Sequence, residues 1–558
     1  MSQIDFFALG GLGEDGKNMY CLEIENQIYV LDAGLKYPTD ELYGVDAVLP
    51  DFSYLIDNKH RVKAIFLSHG HEDHIGAMPR LLKEMNVPVY GTHFTLAILE
   101  DTLKEQTMDA KQYKFQTINK DSVINFKNIT VSFFQTTHSI PESVGIAFET
   151  EDGVIVYSPD YTFDQNVDTT YRTSFDRLSA IAGKKVLALL TESLNADAQG
   201  KVTGSRPLNH VLNRTFMNAK GRIVVSTFST DIYRIQQVVN VALKHGRNIA
   251  IIGRKAQRMV DIAITQGFLK IPEDRLLNLK FIDENNKNEL KDSVVLVTGE
   301  RHEPFFMLQR MVRKVDRLIH LNEADDVLML TPPVPGTEKI AARTLDTLYR
   351  NDINLIKVDK AMLPSAHASS EDIKLLTNIL NPQYIVPIIG EYRHFYAVRQ
   401  IAKELGYKDK NVIDLENGQV LRIQNGQLKG VAQKIKSGDV LVDGILDSDL
   451  SEVVLKDREI LSQDGVMLII GHIDAKKKQR VGDPEIISRG FVFMKQNEEL
   501  IDEVTAIYDD VAKEMFSKRY FDYRLFKEKL REDISKHLFK STSRRPIVIP
   551  VLIDVSKG

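Results

Sequence analysis

Short apolar runs separated by turn residues dominate the first part of the chain, up to about residue 200. Several runs have the length and the β-branched content of strands: IYVLDAG, VKAIFLS, VPVYGT, ITVSFFQTT, GIAFET, VIVYSPD and VLALLTES. Several of them end in a polar or ionisable residue, as strands do when the loops at one sheet edge build a site. The pattern predicts a mixed α/β domain with its chemistry at one edge of a sheet.

From about residue 208 the pattern changes to alternating helix and strand. Segments such as LNHVLNRTFMNAKGRIVVSTFS and IYRIQQVVNVALKHGRNIAIIG predict βα units around a parallel sheet. Strands of the first type return near 355–389, which indicates an insertion within the first domain. The predicted boundaries are 1–207 and 351–425 for the interrupted domain, 208–350 for the insertion, 426–447 for a linker rich in Gly and Lys, and 448–558 for a small C-terminal α/β domain.

The composition narrows the class of protein. A content of 43% hydrophobic and 27% charged residues is typical of globular chains. The single cysteine, Cys21, excludes an internal disulfide and a thiolate zinc cluster, and it fits a reducing compartment. We find no leader-like pattern and no apolar stretch near ~20 residues, so we expect a cytoplasmic protein without a membrane span. With a net charge of −5, the chain has no overall positive field that would attract nucleic acid. A local groove and bound cations can still supply positive potential.

A cluster of histidines and acids follows the apolar run VKAIFL, in the stretch LSHGHEDHIGAMP at 67–79. Side chains grouped in this way between a strand and a helix can surround a metal pair, and imidazole and carboxylate groups suit zinc, manganese or iron. An ordinary polar loop is the alternative interpretation. The candidate ligands are His69, His71, Asp73 and His74.

Two further strand ends bear on that choice. FFQTTHSIPES places His138 after an apolar strand, and VIVYSPDYTFD places Asp160 after another. Taken singly, each is more simply a turn residue. Together with the cluster at 69–74 they indicate side chains gathered at one sheet edge, and this favours a metal site.

These motifs resemble the metallo-β-lactamase superfamily. The segments ALGGLGEDGKN, STFSTDIYR, PPVPG, SAHASSED and GEYRH are, in addition, similar to the ribonuclease J family of the β-CASP branch, and the likeness covers essentially the whole chain. The resemblance implies an αββα metallo-β-lactamase sandwich, an inserted β-CASP α/β domain and a small C-terminal α/β domain.

The resemblance also implies a two-metal RNA hydrolase that acts from the 5′ end with some internal cleavage. Bound cations lower the pKa of water and stabilise charge on a phosphate. In the family's pattern, Zn or Mn would be held by His69, His71 and His138 at one position and by Asp73 and His74 at the other, with Asp160 shared. The implied catalytic residues are His367, Asp160 and Asp73, and the implied residues for binding RNA phosphate are Ser365, Ala366, His367 and Ser229.

The departures from the family's pattern gather at this site. The family has a metal-binding histidine directly before GEYR, where this chain has Ile389, and an isoleucine cannot bind a metal. His394 lies five residues too late to take its place. We therefore expect one metal to be well held and the second to be weak or absent. Further departures are Pro159, Glu192, Leu363, Ala366 and the charged stretch GERHEP with Glu300, Arg301 and His302.

Together, the resemblance and these departures imply a slow, metal-dependent exo- and endoribonuclease of mRNA and rRNA maturation and decay, characteristic of a weaker paralogue. We expect it to prefer 5′-monophosphorylated RNA, to form a homodimer or higher oligomer, and to join a more active paralogue. A largely inactive RNA-binding or scaffolding subunit is the alternative. A small-molecule hydrolase is disfavoured by the helical insertion and the SAHASS loop.

Four other stretches have simpler interpretations. The basic segments AKKKQR and KSTSRRP could contact RNA, but solvated surface charge is the simpler reading. GGLGEDG resembles a phosphate loop, yet it more simply shapes a turn between strands. The amphipathic segment DEVTAIYDDVAKEMF could serve a subunit interface, with packing inside its own domain as the default.

Overall fold

A computed structural model gives the architecture of the chain. It describes residues 3–38, 42, 44–202, 204–277, 291–334, 336–432, 434–443, 452–491 and 498–557. The chain divides into two compact units, one of Met1–Tyr37 and Val48–Val440 and the other of Pro38–Ala47 and Leu441–Gly558.

Two sheets form the centre of the first unit. Their strands, with the separate β4, are β1 (Gln3–Gly10), β2 (Met19–Ile24), β3 (Gln27–Leu31), β4 (Ala47–Pro50), β5 (Val62–Phe66), β6 (Val89–Thr92), β7 (Phe115–Ile118), β8 (Val123–Asn125), β9 (Thr130–Gln135), β10 (Val144–Thr150), β11 (Gly153–Ser158), β12 (Val186–Glu192), β19 (Tyr384–Ile388), β20 (Val420–Gln424) and β21 (Gln427–Ala432). One sheet has the order β21-β20-β1-β2-β3-β5-β6-β7, and the other has the order β19-β12-β11-β10-β9-β8.

The inner faces of these two sheets share one apolar core. Phe6 and Phe66 of the first sheet and Phe148 and Tyr157 of the second belong to a single cluster of buried side chains. The rings of Phe66 and Phe148 meet edge to face, with centroids 5.5 Å apart. Burial of such rings is a large part of the stabilisation of a sandwich.

Helices cover the outer faces of both sheets. In the first unit, outside the insertion, they are α1 (Ser53–Asp57), α2 (Glu72–Ile75), α3 (Met78–Glu84), α4 (His93–Glu105), α5 (Phe175–Ala182), α11 (Ser370–Leu380) and α12 (Tyr392–Glu404). Leu178, Leu376 and Val398, on α5, α11 and α12, pack against the six-stranded sheet in a second core. The resulting order of layers is the αββα sandwich that the family resemblance implies.

The insertion is built around a wholly parallel six-stranded sheet. Its strands are β13 (Ile223–Phe228), β14 (Asn248–Ile252), β15 (Leu276–Leu277), β16 (Ser293–Gly299), β17 (Asp326–Met329) and β18 (Asn354–Lys357), and its helices are α6 (Ser205–Asn218), α7 (Ile232–Lys244), α8 (Arg254–Thr265), α9 (Glu303–Val312) and α10 (Glu338–Arg350). Every pair of neighbouring strands is parallel. The central strand β16, SVVLVTG, is buried along its whole length, as parallel strands with helices on both faces are.

Part of the predicted linker at 426–447 is regular structure. Residues Gln427–Ala432 form β21, which extends the eight-stranded sheet as an edge strand paired with β20. The turn between the two strands is Asn425–Gly426, and both residues have positive φ. Asn-Gly is a strong hairpin signal, because both residues adopt left-handed backbone readily. The linker prediction missed this signal.

The second unit combines a small β-sheet with helices. Its elements, with β22 (Asp439–Val442) at its beginning, are α13 (Glu452–Gln463), β23 (Val466–Asp474), β24 (Gln479–Arg480), β25 (Glu485–Arg489), α14 (Glu498–Ser517), α15 (Tyr523–Thr542) and β26 (Ile547–Asp554). Strand β23 pairs antiparallel with β24 and β25 and parallel with β26. The apolar face of α14, including Val504 and Tyr508, is buried in this unit's own core. Among the described residues, no helix has the length and apolar content needed to cross a membrane.

Candidate metal centre

The strongest cluster of donor atoms joins three histidines and one aspartate. The Nδ1 atom of His71 lies 3.1 Å from Nε2 of His69 and 3.0 Å from Nε2 of His138. Oδ2 of Asp160 lies 3.4 Å from Nε2 of His69 and 3.4 Å from Nε2 of His138. Tetrahedral coordination with zinc–ligand bonds of about 2.0–2.1 Å separates the donor atoms by about 3.3 Å. The four atoms are therefore spaced as the ligands of a single divalent cation.

Contacts behind these ligands orient the rings. His138 donates through Nδ1 to the carbonyl oxygen of Ala366, 2.8 Å away, which directs Nε2 toward the cluster. Nδ1 of His69 lies 3.0 Å from the hydroxyl of Ser68. Such outer contacts fix the tautomer and the orientation of a metal-binding histidine. Asp160 is 2% exposed, and its Oδ1 atom has no hydrogen-bond partner among the described residues.

A second group of donor atoms shares Asp160. Nε2 of His74 lies 3.3 Å from Oδ2 of Asp73 and 3.6 Å from Oδ2 of Asp160. Behind it, Nδ1 of His74 lies 2.8 Å from Oδ2 of the buried Asp32. That carboxylate also accepts hydrogen bonds from Ser68 and, at 2.6 Å, from Tyr157. The group offers three donor side chains, one fewer than the first cluster.

Asn18, which was not predicted from the sequence, contacts the second group of donor atoms. Its Nδ2 atom is 3.1 Å from Oδ2 of Asp73 and 3.1 Å from Nε2 of His74. The Oδ1 atom of the same amide accepts a hydrogen bond from the hydroxyl of Tyr20. The amide therefore donates to Asp73 and contacts His74, two of the side chains that a second cation would use.

Ile389 occupies an unusual backbone conformation beside this network. Its φ of 53° lies in the left-handed region, where a β-branched residue is a true outlier. Its N–H donates to the carbonyl of Gly11 and to the Tyr20 hydroxyl, and its carbonyl accepts from the backbone and the hydroxyl of Ser193. These contacts hold a conformation that costs about 1–3 kcal/mol. His394 lies elsewhere: its Nδ1 accepts from the N–H of Glu391 at the start of α12.

His367 stands at the edge of the centre between two carboxylates. Its Nδ1 atom is 2.9 Å from Oε2 of Glu192 and 3.5 Å from Oδ1 of Asp160. The other oxygen of Glu192 accepts from the backbone N–H groups of Tyr161 and Ala368. Both carboxylate oxygens of Glu192, a departure from the family's pattern, therefore have polar partners. The contact with His367 holds that ring beside the metal-binding cluster.

Burial favours the neutral form of two histidines in the centre, whereas neighbouring carboxylates favour the protonated form of a third. Burial lowers the pKa of His71 to about 3 and places the pKa of His138 well below its usual value. Burial opposes the charged form of His367, but Asp160 and Glu192 raise its pKa well above the usual value. Neutral imidazole is the form that binds metal, so His71 and His138 are ready to do so.

The predicted phosphate loop is partly assembled next to the centre. The Ser365 hydroxyl donates to the His367 carbonyl and accepts from the His367 N–H. The Ala366 carbonyl holds His138, as described above. Ser229 follows β13, and its N–H donates to the carbonyl of Gly299. Within the described part of the chain, no hydrogen bond joins Ser229 to Ser365 or His367, so its predicted role has no direct support from contacts.

Two other residues near the centre have contacts that the sequence did not predict. Asp15, in the GGLGEDG turn, lies at the surface beside the centre, where partial desolvation and the charge of Asp73 raise its pKa. Arg301, in the charged GERHEP stretch, lies over the ring of Tyr37, 4.3 Å from its centroid. The Tyr37 hydroxyl in turn bonds Glu72 of the HGHEDH motif. The insertion therefore contacts the metal-binding segment through this arginine.

Comparison with known proteins identifies the family of this chain. The chain is 36% identical over 552 residues to the protein named Ribonuclease J2 of Bacillus subtilis, covering 99% of both chains. It is equally similar to the protein named Ribonuclease J 2 of Staphylococcus epidermidis, with 99% of this chain and 98% of the relative covered. The chain belongs to the ribonuclease J family.

Models of the separate domains agree with this membership. Residues 31–179 match the beta-lactamase superfamily domain, 220–348 the ribonuclease J beta-CASP domain, 360–413 the Zn-dependent metallo-hydrolase RNA specificity domain, and 453–555 the ribonuclease J C-terminal domain. The ribonuclease J fold, with its inserted β-CASP domain and its C-terminal domain, is thus confirmed. The individual boundaries given by the sequence stay predictions.

A solved structure shows the same fold at greater distance. A protein of unknown function from Enterococcus faecalis superposes with a TM-score of 0.51 at 17% identity, covering 75% of this chain and all of that one.

Proposed function

We propose that this ribonuclease J family member is a metal-dependent hydrolase of RNA that acts from the 5′ end, with some internal cleavage, at a low rate. The observation that carries the proposal is the set of four donor atoms of His69, His71, His138 and Asp160, spaced for one divalent cation. The names of the relatives supply the substrate class. We further propose that the protein works in the cytoplasm.

The chain's own residues divide the work of the site. His69, His71 and His138 would hold the first cation, with Asp160 shared, and Asp73 and His74 would remain for a second. When bound, a divalent cation lowers the pKa of water and stabilises charge on a phosphate. Neighbouring carboxylates keep His367 protonated at Nδ1, which leaves its Nε2–H to donate to a leaving oxygen. Ser365 and the backbone of Ala366 shape the loop on which the phosphate would lie, with Ser229 proposed beside it.

The low rate follows from the second group of donors. Ile389 offers no ligand where the family's pattern has a histidine, and the Asn18 amide donates to Asp73 and contacts His74, two of the remaining ligands. Loss of one cation removes part of the charge stabilisation, worth several kcal/mol. At about 1.4 kcal/mol per tenfold, cleavage should be slower than in a complete family member by two or more orders of magnitude.

Ile389 also favours a second candidate, an RNA-binding or scaffolding subunit within a complex with a more active paralogue. Single-turnover cleavage of 5′-monophosphorylated RNA with excess Zn²⁺ or Mn²⁺, for the protein alone and with the paralogue, separates the two. Cleavage that His69→Ala abolishes supports the enzyme. RNA binding without cleavage under all of these conditions, with His69→Ala indistinguishable from the natural chain, supports the scaffold. A rate within tenfold of a complete family member would contradict the low activity.

A further inference from the structure

The first turn of α7 joins the insertion to two loops of the metal centre. The N–H of Tyr233 donates to the carbonyl of Ser139, 3.1 Å away and directly after His138. The guanidinium of Arg234 donates through Nη2 to the carbonyl of Pro364, 3.3 Å away and directly before Ser365. One turn of helix thus contacts both loops.

Arg234 is itself rigidly held. It is 7% exposed, and its Nη1 donates to the carbonyl of Leu330 at 3.0 Å. Its Nη2 lies 3.0 Å from Oδ2 of Asp231, whose other oxygen caps α7 by accepting the N–H of Arg234. A guanidinium is planar and presents its donors in a fixed fork, so contacts on both terminal nitrogens define its position. The carbonyl of Pro364 is therefore tied to a fixed point of the insertion.

The loop that Arg234 holds also carries residues of the proposed active site. Two residues after Pro364, the carbonyl of Ala366 accepts from Nδ1 of His138. One residue later, His367 bonds Glu192 and approaches Asp160. A displacement of the Pro364 carbonyl would move the acceptor that orients His138 and the backbone that carries His367.

We propose that Arg234 is a positioning residue, which fixes the loop 364–367 against the insertion and thereby sets the orientation of His138 and His367. Its kinetic consequence rests on the proposed hydrolysis of RNA, but its structural consequence does not. A shift of about 1 Å in a reacting group can cost about 100-fold in rate. Arg234 then couples the position of the β-CASP domain to the geometry of the metal centre.

The chain supplies a matched control. Arg247 is also buried, at 8% exposure, and donates to the carbonyls of Gly221 and Ala219 at 2.7 and 3.0 Å. Both acceptors lie within the insertion. Replacement of either arginine by lysine removes a fork that binds backbone carbonyls, but only Arg234→Lys loosens a link to the metal centre.

The test compares Arg234→Lys with Arg247→Lys in the full chain. We expect Arg234→Lys to raise amide exchange at residues 365–368 about tenfold, to weaken Zn²⁺ binding severalfold, and to lower the single-turnover rate about tenfold or more with little change in KM. Arg247→Lys should leave these quantities within twofold while lowering the melting temperature to a similar degree. Equal exchange and Zn²⁺ affinity in the two variants would overturn the inference. Absence of RNA cleavage in the natural chain would overturn the proposed function alone, since exchange and metal affinity decide this inference without it.

Discussion

The Nδ1 atom of His138 donates to the carbonyl oxygen of Ala366 across a separation of 228 residues in sequence. This hydrogen bond joins a proposed metal ligand to the proposed phosphate loop, so the two parts of the site share one geometry. It also explains why Ala366, a departure from the family's pattern, leaves this contact intact: the carbonyl, not the side chain, makes it.

Metal occupancy should be unequal between the two groups of donors. The first group offers three imidazoles and a carboxylate, whereas the second lacks a fourth side chain and is partly bonded by Asn18. We expect at most one tightly held cation per chain after dialysis, measured by elemental analysis of the protein. His69→Ala should abolish this binding. Two tightly bound cations per chain would contradict our interpretation of Ile389.

Replacement of Ile389 by histidine should partly restore the second site. The left-handed backbone is already in place, and histidine is among the residues enriched in that region. We expect Ile389→His to raise second-cation affinity and RNA cleavage, with a further gain when Leu363→His is added.

The control for that experiment is Ile389→Gly, which relieves the backbone strain without supplying a ligand. It should leave metal content unchanged. Full activity from Ile389→His alone would show that the other departures are harmless, whereas no gain in metal or in rate would favour the scaffolding role.

Removal of the carboxylate behind His74 should weaken the second group further. Asp32 accepts from His74, Ser68 and Tyr157, and all of these atoms are buried. Loss of such an outer contact typically lowers metal affinity about 10–100-fold. Breaking one partner of a buried charged pair also costs about 3–5 kcal/mol of stability.

We therefore expect Asp32→Asn to lower both the affinity for added Mn²⁺, by calorimetry, and the melting temperature. Tyr157→Phe, which removes one donor and keeps the carboxylate, should have a smaller effect on each. Equal Mn²⁺ affinity in Asp32→Asn and in the natural chain would show that His74 does not bind the cation.

Asp15 should contribute to cation binding through its charge. Partial desolvation and the charges of Asp73 and Asp160 raise the pKa of its carboxyl. Because the side chain is open to solvent, salt should screen the effect, with a Debye length of about 10 Å at 0.1 M. We expect Asp15→Asn to lower Mn²⁺ affinity severalfold at low salt and less at high salt. The exposed Asp176→Asn, on α5, serves as the control and should change neither value.

The C-terminal unit should support assembly. The family resemblance implies dimers and larger oligomers, and we expect removal of residues 448–558 to lower the mass of the particle in light scattering. The core of this unit is its own, so the remainder should keep its melting transition. An unchanged particle mass would contradict this proposal.

The sequence and its family resemblance predicted the architecture, and they predicted most of the donor side chains that the structure brings together. The switch from isolated strands to βα repeats predicted the insertion, because burial on both faces of a parallel sheet leaves a pattern that local sequence carries. The strand-end residues His69, His138 and Asp160 were predicted as ligands because each follows an apolar run. The hairpin at Asn425–Gly426 carried an equally local signal that the linker prediction overlooked.

Only the tertiary structure decided which distant groups support the centre. Asn18 and Asp15 lie in loops without a pattern of their own. Asp32 follows the apolar run IYVL, but its importance, like theirs, comes from neighbours far along the chain. The tie from Arg234 to Pro364 spans 130 residues. The strained backbone of Ile389 is likewise imposed by Gly11, Tyr20 and Ser193. Hydrogen bonds between remote segments leave no periodicity in the sequence, so their physical effect becomes visible only when folding brings the segments together.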